Sequence, residues 1–122
     1  MAFDRTIYSI SLVPAKTKLN KWTVIFKNKE NKKIKKVSFG SKGYRDYTLI
    51  NDKESDFYID DKAKRDKVKD LYIIRHKKRE DWTKPDNKGS LSKHLLWNLP
   101  TIEASLQDYK KRFNLKGGMG NV

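Results

Sequence analysis

Lys21-Trp22-Thr23-Val24-Ile25-Phe26-Lys27 alternates large apolar side chains with polar ones, placing Trp22, Val24 and Phe26 on one side of an extended chain. Six residues on, Ile34 to Phe39 predicts a second strand with Val37 and Phe39 facing one way. Ile34 falls out of that register, as it would beside a bulge near Lys35-Lys36. The charged stretch Asn28 to Lys33 between them reads as a hairpin loop. Upstream, Thr6-Ile7-Tyr8-Ser9-Ile10-Ser11-Leu12 has the same period of two, with Tyr8, Ile10 and Leu12 in phase, and Pro14 ends it. Downstream, Tyr44-Arg45-Asp46-Tyr47-Thr48-Leu49-Ile50 reads as a fourth strand. Together these predict an antiparallel meander with one wet, lysine-rich face.

Beyond residue 60 the period changes. Asp60 or Asp61 is placed to cap a long polar helix through about Arg79, with Val68, Leu71, Tyr72 and Arg75 along one stripe. Ser90 reads as the cap of a short helix presenting Leu91, Leu95 and Trp97, which Pro100 terminates. Thr101 then opens the clearest helix of the chain, with Ile102, Leu106, Tyr109 and Phe113 at helical spacing. Glu103 stands in its first turn and Lys110, Lys111 and Arg112 in its last, both favourable to the helix dipole. The expected class is α+β: a small antiparallel sheet of three to four strands, a long surface helix, and two C-terminal helices packed on one face. Residues 1–116 are expected to form a single basic domain and residues 117–122 a flexible Gly-rich arm.

With 122 residues, the chain suits one domain. Hydrophobic and charged residues each make up 36%, so the core must rely on the 11% of aromatics. Cys is absent, which removes disulfides, thiol nucleophiles and Cys-based metal sites. No apolar run approaches a membrane span, and the first residues lack the pattern of a secretory signal, so a soluble, intracellular protein is expected. The net charge is +14, and it is unevenly spread. Residues 15–45 hold eleven Lys or Arg against the single acid Glu30, whereas residues 46–62 are net acidic. So concentrated a charge steers polyanions and repels copies of itself. The residues expected to meet a partner are Lys27, Lys29, Lys32, Lys33, Lys35 and Lys36 around the hairpin, Lys42 beyond it, and Arg75, Lys77, Lys78 and Arg79 at the end of the long helix.

No catalytic constellation stands out, and no cofactor, metal or small-molecule substrate is expected. His76 and His94 are eighteen residues apart, outside any metal-ligand spacing. Asp52, Glu54, Asp56, Asp60 and Asp61 lack the Gly and terminal Glu of a calcium loop and are explained by capping and charge compensation. Gly40-Ser41-Lys42-Gly43 lacks Walker spacing and precedes an apparent strand, so no nucleotide is expected there. It reads as a turn needing positive φ, the alternative being a turn whose backbone N–H groups and Lys42 hold a single phosphate oxygen or carboxylate. Tyr72 and Trp82 lie among the bases of the long helix end, where they serve either as stacking rings or as core. Trp97, Tyr109 and Phe113 follow helical spacing and belong to the core.

Lys36-Val37-Ser38-Phe39-Gly40, Gly43-Tyr44-Arg45-Asp46-Tyr47-Thr48, Arg75-His76-Lys77-Lys78 with Trp82, Leu95-Leu96-Trp97-Asn98 and Pro100-Thr101 follow one another in an order that resembles a family of small basic proteins of uncharacterised function encoded by nucleocytoplasmic large DNA viruses of algae and protists. The resemblance runs from about Lys36 to Phe113 and carries no activity or catalytic residue. It implies a viral origin and a place in or near the virion. The expectation is a non-enzymatic minor capsid component held by protein–protein contacts with capsid proteins. The alternative is a DNA-binding protein that neutralises the packaged genome regardless of sequence.

Overall fold

The structure is a computed structural model that describes residues 6–120. Strands β1 (Ser9–Pro14), β2 (Asn20–Lys27) and β3 (Lys33–Ser41) form the expected antiparallel meander. Trp22 pairs with Phe39 and Val24 with both Val37 and Leu12, so the alternation read from the sequence places one apolar face on the core. The register of β2 and β3 shifts at Lys27, where Lys33 is the partner and Ile34 is the extra residue. The bulge therefore falls one residue before the expected pair. Among the described residues, Ile7, Ile10, Leu12, Val24, Phe26 and Phe39 supply the sheet side of the core.

The fourth strand is not where the alternation of Tyr44–Ile50 puts it. Tyr47–Ile50 forms a single helical turn, α1, because the Asp46 carboxylate accepts the Leu49 N–H and caps it. The strand comes instead from the Gly-rich tail. Lys116–Met119 is β4 and lies parallel to β1, with Ser9 opposite Lys116 and Leu12 opposite Met119. The sheet is thus mixed, in the order β3-β2-β1-β4. The expected loose arm is an edge of the sheet over these residues, and Gly120 continues the pairing through its N–H to the Leu12 carbonyl. Asn121 and Val122, the rest of that arm, lie outside the described residues.

Helix α2 (Lys62–Lys77) starts at Asp61, whose carboxylate accepts the N–H groups of Ala63 and Lys64. It buries only Tyr72, as a polar helix with a narrow apolar seam should, and leaves Leu71 and Ile74 exposed. Helix α3 (Lys88–Leu91) is capped by Asn87 rather than Ser90, and Ser90 is buried. It runs into a π-helical turn at Ser92–Leu96. Widening the turn brings four successive residues, His94 to Trp97, into the interior. Helix α4 (Ile102–Phe113) has the expected Thr101 cap on Ala104 and ends at Asn114 in the left-handed conformation. Leu106, Tyr109 and Phe113 are buried, and the Tyr109 hydroxyl donates to the Pro85 carbonyl at 2.7 Å. No helix among the described residues is long and apolar enough to cross a membrane.

Candidate polyanion-binding face

Residues that alternate with the core positions of the sheet point to its other face, and the register sets their neighbours. One cross-strand row reads Lys33, Lys27, Ser9, Lys116. The next reads Lys36, Ile25, Ser11, Gly118, and the third begins Ser38, Thr23, Val13. Four lysines therefore gather at the hairpin end of one sheet face, above a strip of hydroxyls in which Thr23 and Ser38 are hydrogen-bonded at 2.8 Å. Lys33, Lys36 and Lys116 are exposed, and Lys27 is half-buried. None of the four has a side-chain ion-pair or hydrogen-bond partner among the described residues. Directly opposed like charges such as Lys27 and Lys33 weaken a sheet. The fold by itself gains nothing from placing them there.

Lys29 and Lys32 continue the cluster into the hairpin loop. Asn28 shapes that loop, its side-chain oxygen accepting the N–H groups of both Glu30 and Lys32 at 3.0 Å, while Asn31 takes a positive φ. Lys35 differs from its neighbours. It stands in the register of Phe26, on the core side, and its ammonium meets the Asp86 carboxylate at 3.0 Å. Lys42 lies just past the far end of β3, a strand of nine residues or roughly 27 Å. There its ammonium donates to the Thr17 carbonyl, and the turn around it uses positive φ at Gly40 and Gly43. Arg75 and Lys77 belong to the last turn of α2, with Lys78 as its C-cap and Arg79 beyond. Arg75 lines a cleft with Gly40 and Ser41, again at the far end of β3. Lys27, Lys29, Lys32, Lys33, Lys35 and Lys36 thus gather at the hairpin end of the sheet, and Lys42 and Arg75 at the opposite end. Lys116 joins the first group, which only the pairing of the tail with β1 reveals.

The aromatics of the second region are engaged in the protein. Tyr72 is stacked between His76, with centroids 4.1 Å apart, and Trp97, at 4.4 Å. Burial and the nearby Glu80 carboxylate raise the Tyr72 phenol above its ordinary pKa. Glu80 meets His76 Nδ1 at 2.7 Å and accepts the Trp82 indole N–H at 2.9 Å. Trp82 is half-buried, with the Lys93 ammonium 5.5 Å from its ring centre. Tyr72 and Trp97 are therefore interior rings, and Trp82 is a partly covered one. His94 is buried on the other side of the π-helical turn, where its Nε2 lies 3.0 Å from the Trp82 carbonyl. The acidic stretch behaves locally, with Asp52 accepting the Glu54 N–H and Asp61 capping α2. Among the described residues no group of three or more His, Asp or Glu is placed to hold a metal ion.

No protein family's model, no curated protein and no solved structure matches this chain.

Proposed function

We propose that the chain is a non-enzymatic basic protein of a large DNA virus particle that binds the phosphate backbone of DNA without reading its sequence. The observation that carries the reading is the row Lys33, Lys27, Lys116 with Lys36 beside it, four ammonium groups on one sheet face with no partner among the described residues. Ammonium groups are point charges suited to phosphate, and among the described residues the face presents no array of amides or Arg forks that would tell one base from another. The motif series from Lys36 to Phe113 supports the viral setting. A minor capsid role through protein–protein contacts is the second reading. It is favoured by Leu71 and Ile74, an apolar pair one turn apart and exposed on α2.

Binding to two unrelated duplexes, measured across a salt series, tests the first reading. Changing Lys27, Lys33, Lys36 and Lys116 to Gln should weaken both duplexes alike and reduce the slope of log affinity against log salt by about 0.9 for each phosphate that is no longer neutralised. An unchanged affinity and slope would remove this face from the function. Retained DNA binding by a Leu71→Ser, Ile74→Ser double variant that no longer joins particles would favour the capsid reading.

A further inference from the structure

A cleft of about 680 Å3 lies between the far end of β3, the loop before α1, α2 and α3. That is within the range of sites for small organic ligands. Phe39, Leu71, Tyr72, Leu96 and Trp97 give it an apolar wall. Arg45, Arg75 and Lys88 also line it, each from a different segment, and all three are exposed. None has an ion-pair or hydrogen-bond partner among the described residues. Two acids line the cleft as well, and both are occupied. Asp46 is held by Lys21 at 2.7 Å and by the Leu49 N–H, and Glu80 by His76 and Trp82. Three cationic residues without a partner among the described residues are left lining one space with an apolar wall. Tyr44 lines the same space with 70% of its surface exposed.

We propose that this cleft binds a nucleotide, with Arg45, Arg75 and Lys88 on the phosphate and Tyr44 and Leu71 against the base. A purely apolar ligand would leave the three cations unmatched, and a bare anion would leave the wall and the exposed ring without a function. Guanidinium groups hold phosphate oxygens in pairs, and an exposed ring accepts any base by stacking. The nucleotide comes either free or as the phosphorylated end of a single strand. The cleft shares no residue with the lysine row on the sheet, so the two sites stand or fall separately.

The test uses the full chain and equilibrium binding of thymidine 5′-monophosphate, thymidine, inorganic phosphate, and an oligothymidylate with and without a 5′-phosphate. The monophosphate should bind about tenfold tighter than thymidine or inorganic phosphate, because it alone meets both halves of the cleft. Arg75→Gln and Tyr44→Ala should each weaken it about tenfold while leaving the melting temperature in place, since both side chains are exposed. Changing Lys27, Lys33 and Lys36 to Gln should leave monophosphate binding as it is. A 5′-phosphate that tightens the oligonucleotide in an Arg75-dependent way identifies a strand end as the ligand. No effect of that phosphate, with the monophosphate still bound, identifies the free nucleotide. Absence of saturable monophosphate binding, equal binding of inorganic phosphate, or indifference to both Arg75→Gln and Tyr44→Ala would overturn the proposal.

Discussion

The ammonium of Lys21, on β2, lies 2.7 Å from the carboxylate of Asp46, the cap of α1, and the pair is largely out of water, with the Asp46 side chain 2% exposed. Lys21 also donates to the Tyr44 carbonyl at 2.6 Å, so one side chain ties the sheet to the loop that follows it. The other carboxylate oxygen of Asp46 serves the Leu49 N–H and the Thr48 hydroxyl. Both carboxylate oxygens in this small network have donors, which is what lets a charged group stay buried.

Asp46→Ala should therefore cost about 3–5 kcal/mol, since it removes the cap and leaves Lys21 uncompensated. Asp46→Asn keeps a capping oxygen and should recover only part of that loss. Urea unfolding of the two variants checks the order. A loss below about 1 kcal/mol for Asp46→Ala would mean that the pair is screened like a surface ion pair.

Acid should weaken the fold through His94 before it reaches the carboxylates. Burial is the main cause that holds this imidazole down to about 4, with Lys93 and Arg112 adding repulsion, against the Trp82 carbonyl and Asp108, which favour the charged form. Nδ1 is buried with no partner, so a proton there would find no acceptor. The unfolded chain takes up that proton at about 6.5 and the folded chain does not, so the contribution of His94 is constant above pH 7 and is lost as pH drops from 6.5 towards 4. At about 1.4 kcal/mol per pH unit the total is about 3 kcal/mol, levelling off below pH 4. The depressed carboxylates Asp66, Asp81 and Asp108 add their losses only below about 3.8. Denaturant midpoints of the wild type and His94→Gln between pH 7 and 4 are the measurement. The variant should show a flatter profile, and parallel profiles would assign the acid response elsewhere.

Gly117 is the residue on which β4 depends. Its φ is +95, and a Cβ there would collide with the Ile10 carbonyl. Gly117→Ala should therefore detach the strand and lower stability by more than about 1–3 kcal/mol, the strain alone being of that order. Hydrogen exchange would show it directly, through loss of protection at Lys116, whose N–H is bonded to the Tyr8 carbonyl, and at Gly120. Unchanged protection in the variant would mean that the tail tolerates a different path along β1.

The parts of this fold that could be read from the sequence are those with side chains to carry a period. Trp22, Val24 and Phe26 announce β2, and Leu106, Tyr109 and Phe113 announce α4, because burial of one face is what selects both elements. β4 could not be read because Gly117 and Gly118 have no side chains, and that strand is held by backbone bonds to a partner far away in sequence. Tyr47–Ile50 misleads for the opposite reason. Its aromatic and branched residues suit a strand, and only the capping role of Asp46, fixed by Lys21, turns it into a helical turn. The basic site was legible as composition and illegible as geometry. A one-residue bulge decides that Lys33 and Lys36 share a face with Lys27, while Lys35 faces an aspartate fifty-one residues away. Arg45 closes the basic stretch 15–45 and Lys88 lies forty-three residues further on, and only the cleft brings them together.

The pairing of Ser9 with Lys116 also sets a timetable. A ribosome adding about 5–20 residues per second needs on the order of 5–20 s to pass from one to the other. Throughout that interval β1 can pair with β2 but has nothing on its other side. Its open hydrogen-bonding edge invites pairing with another nascent chain, and the short strand length with Pro14 at its end limits how far such pairing could run. Late closure by a glycine-rich strand means that the sheet is completed by the most slowly arriving and least sticky of its four pieces, so the nascent chain relies on timing where most small sheets rely on adjacency.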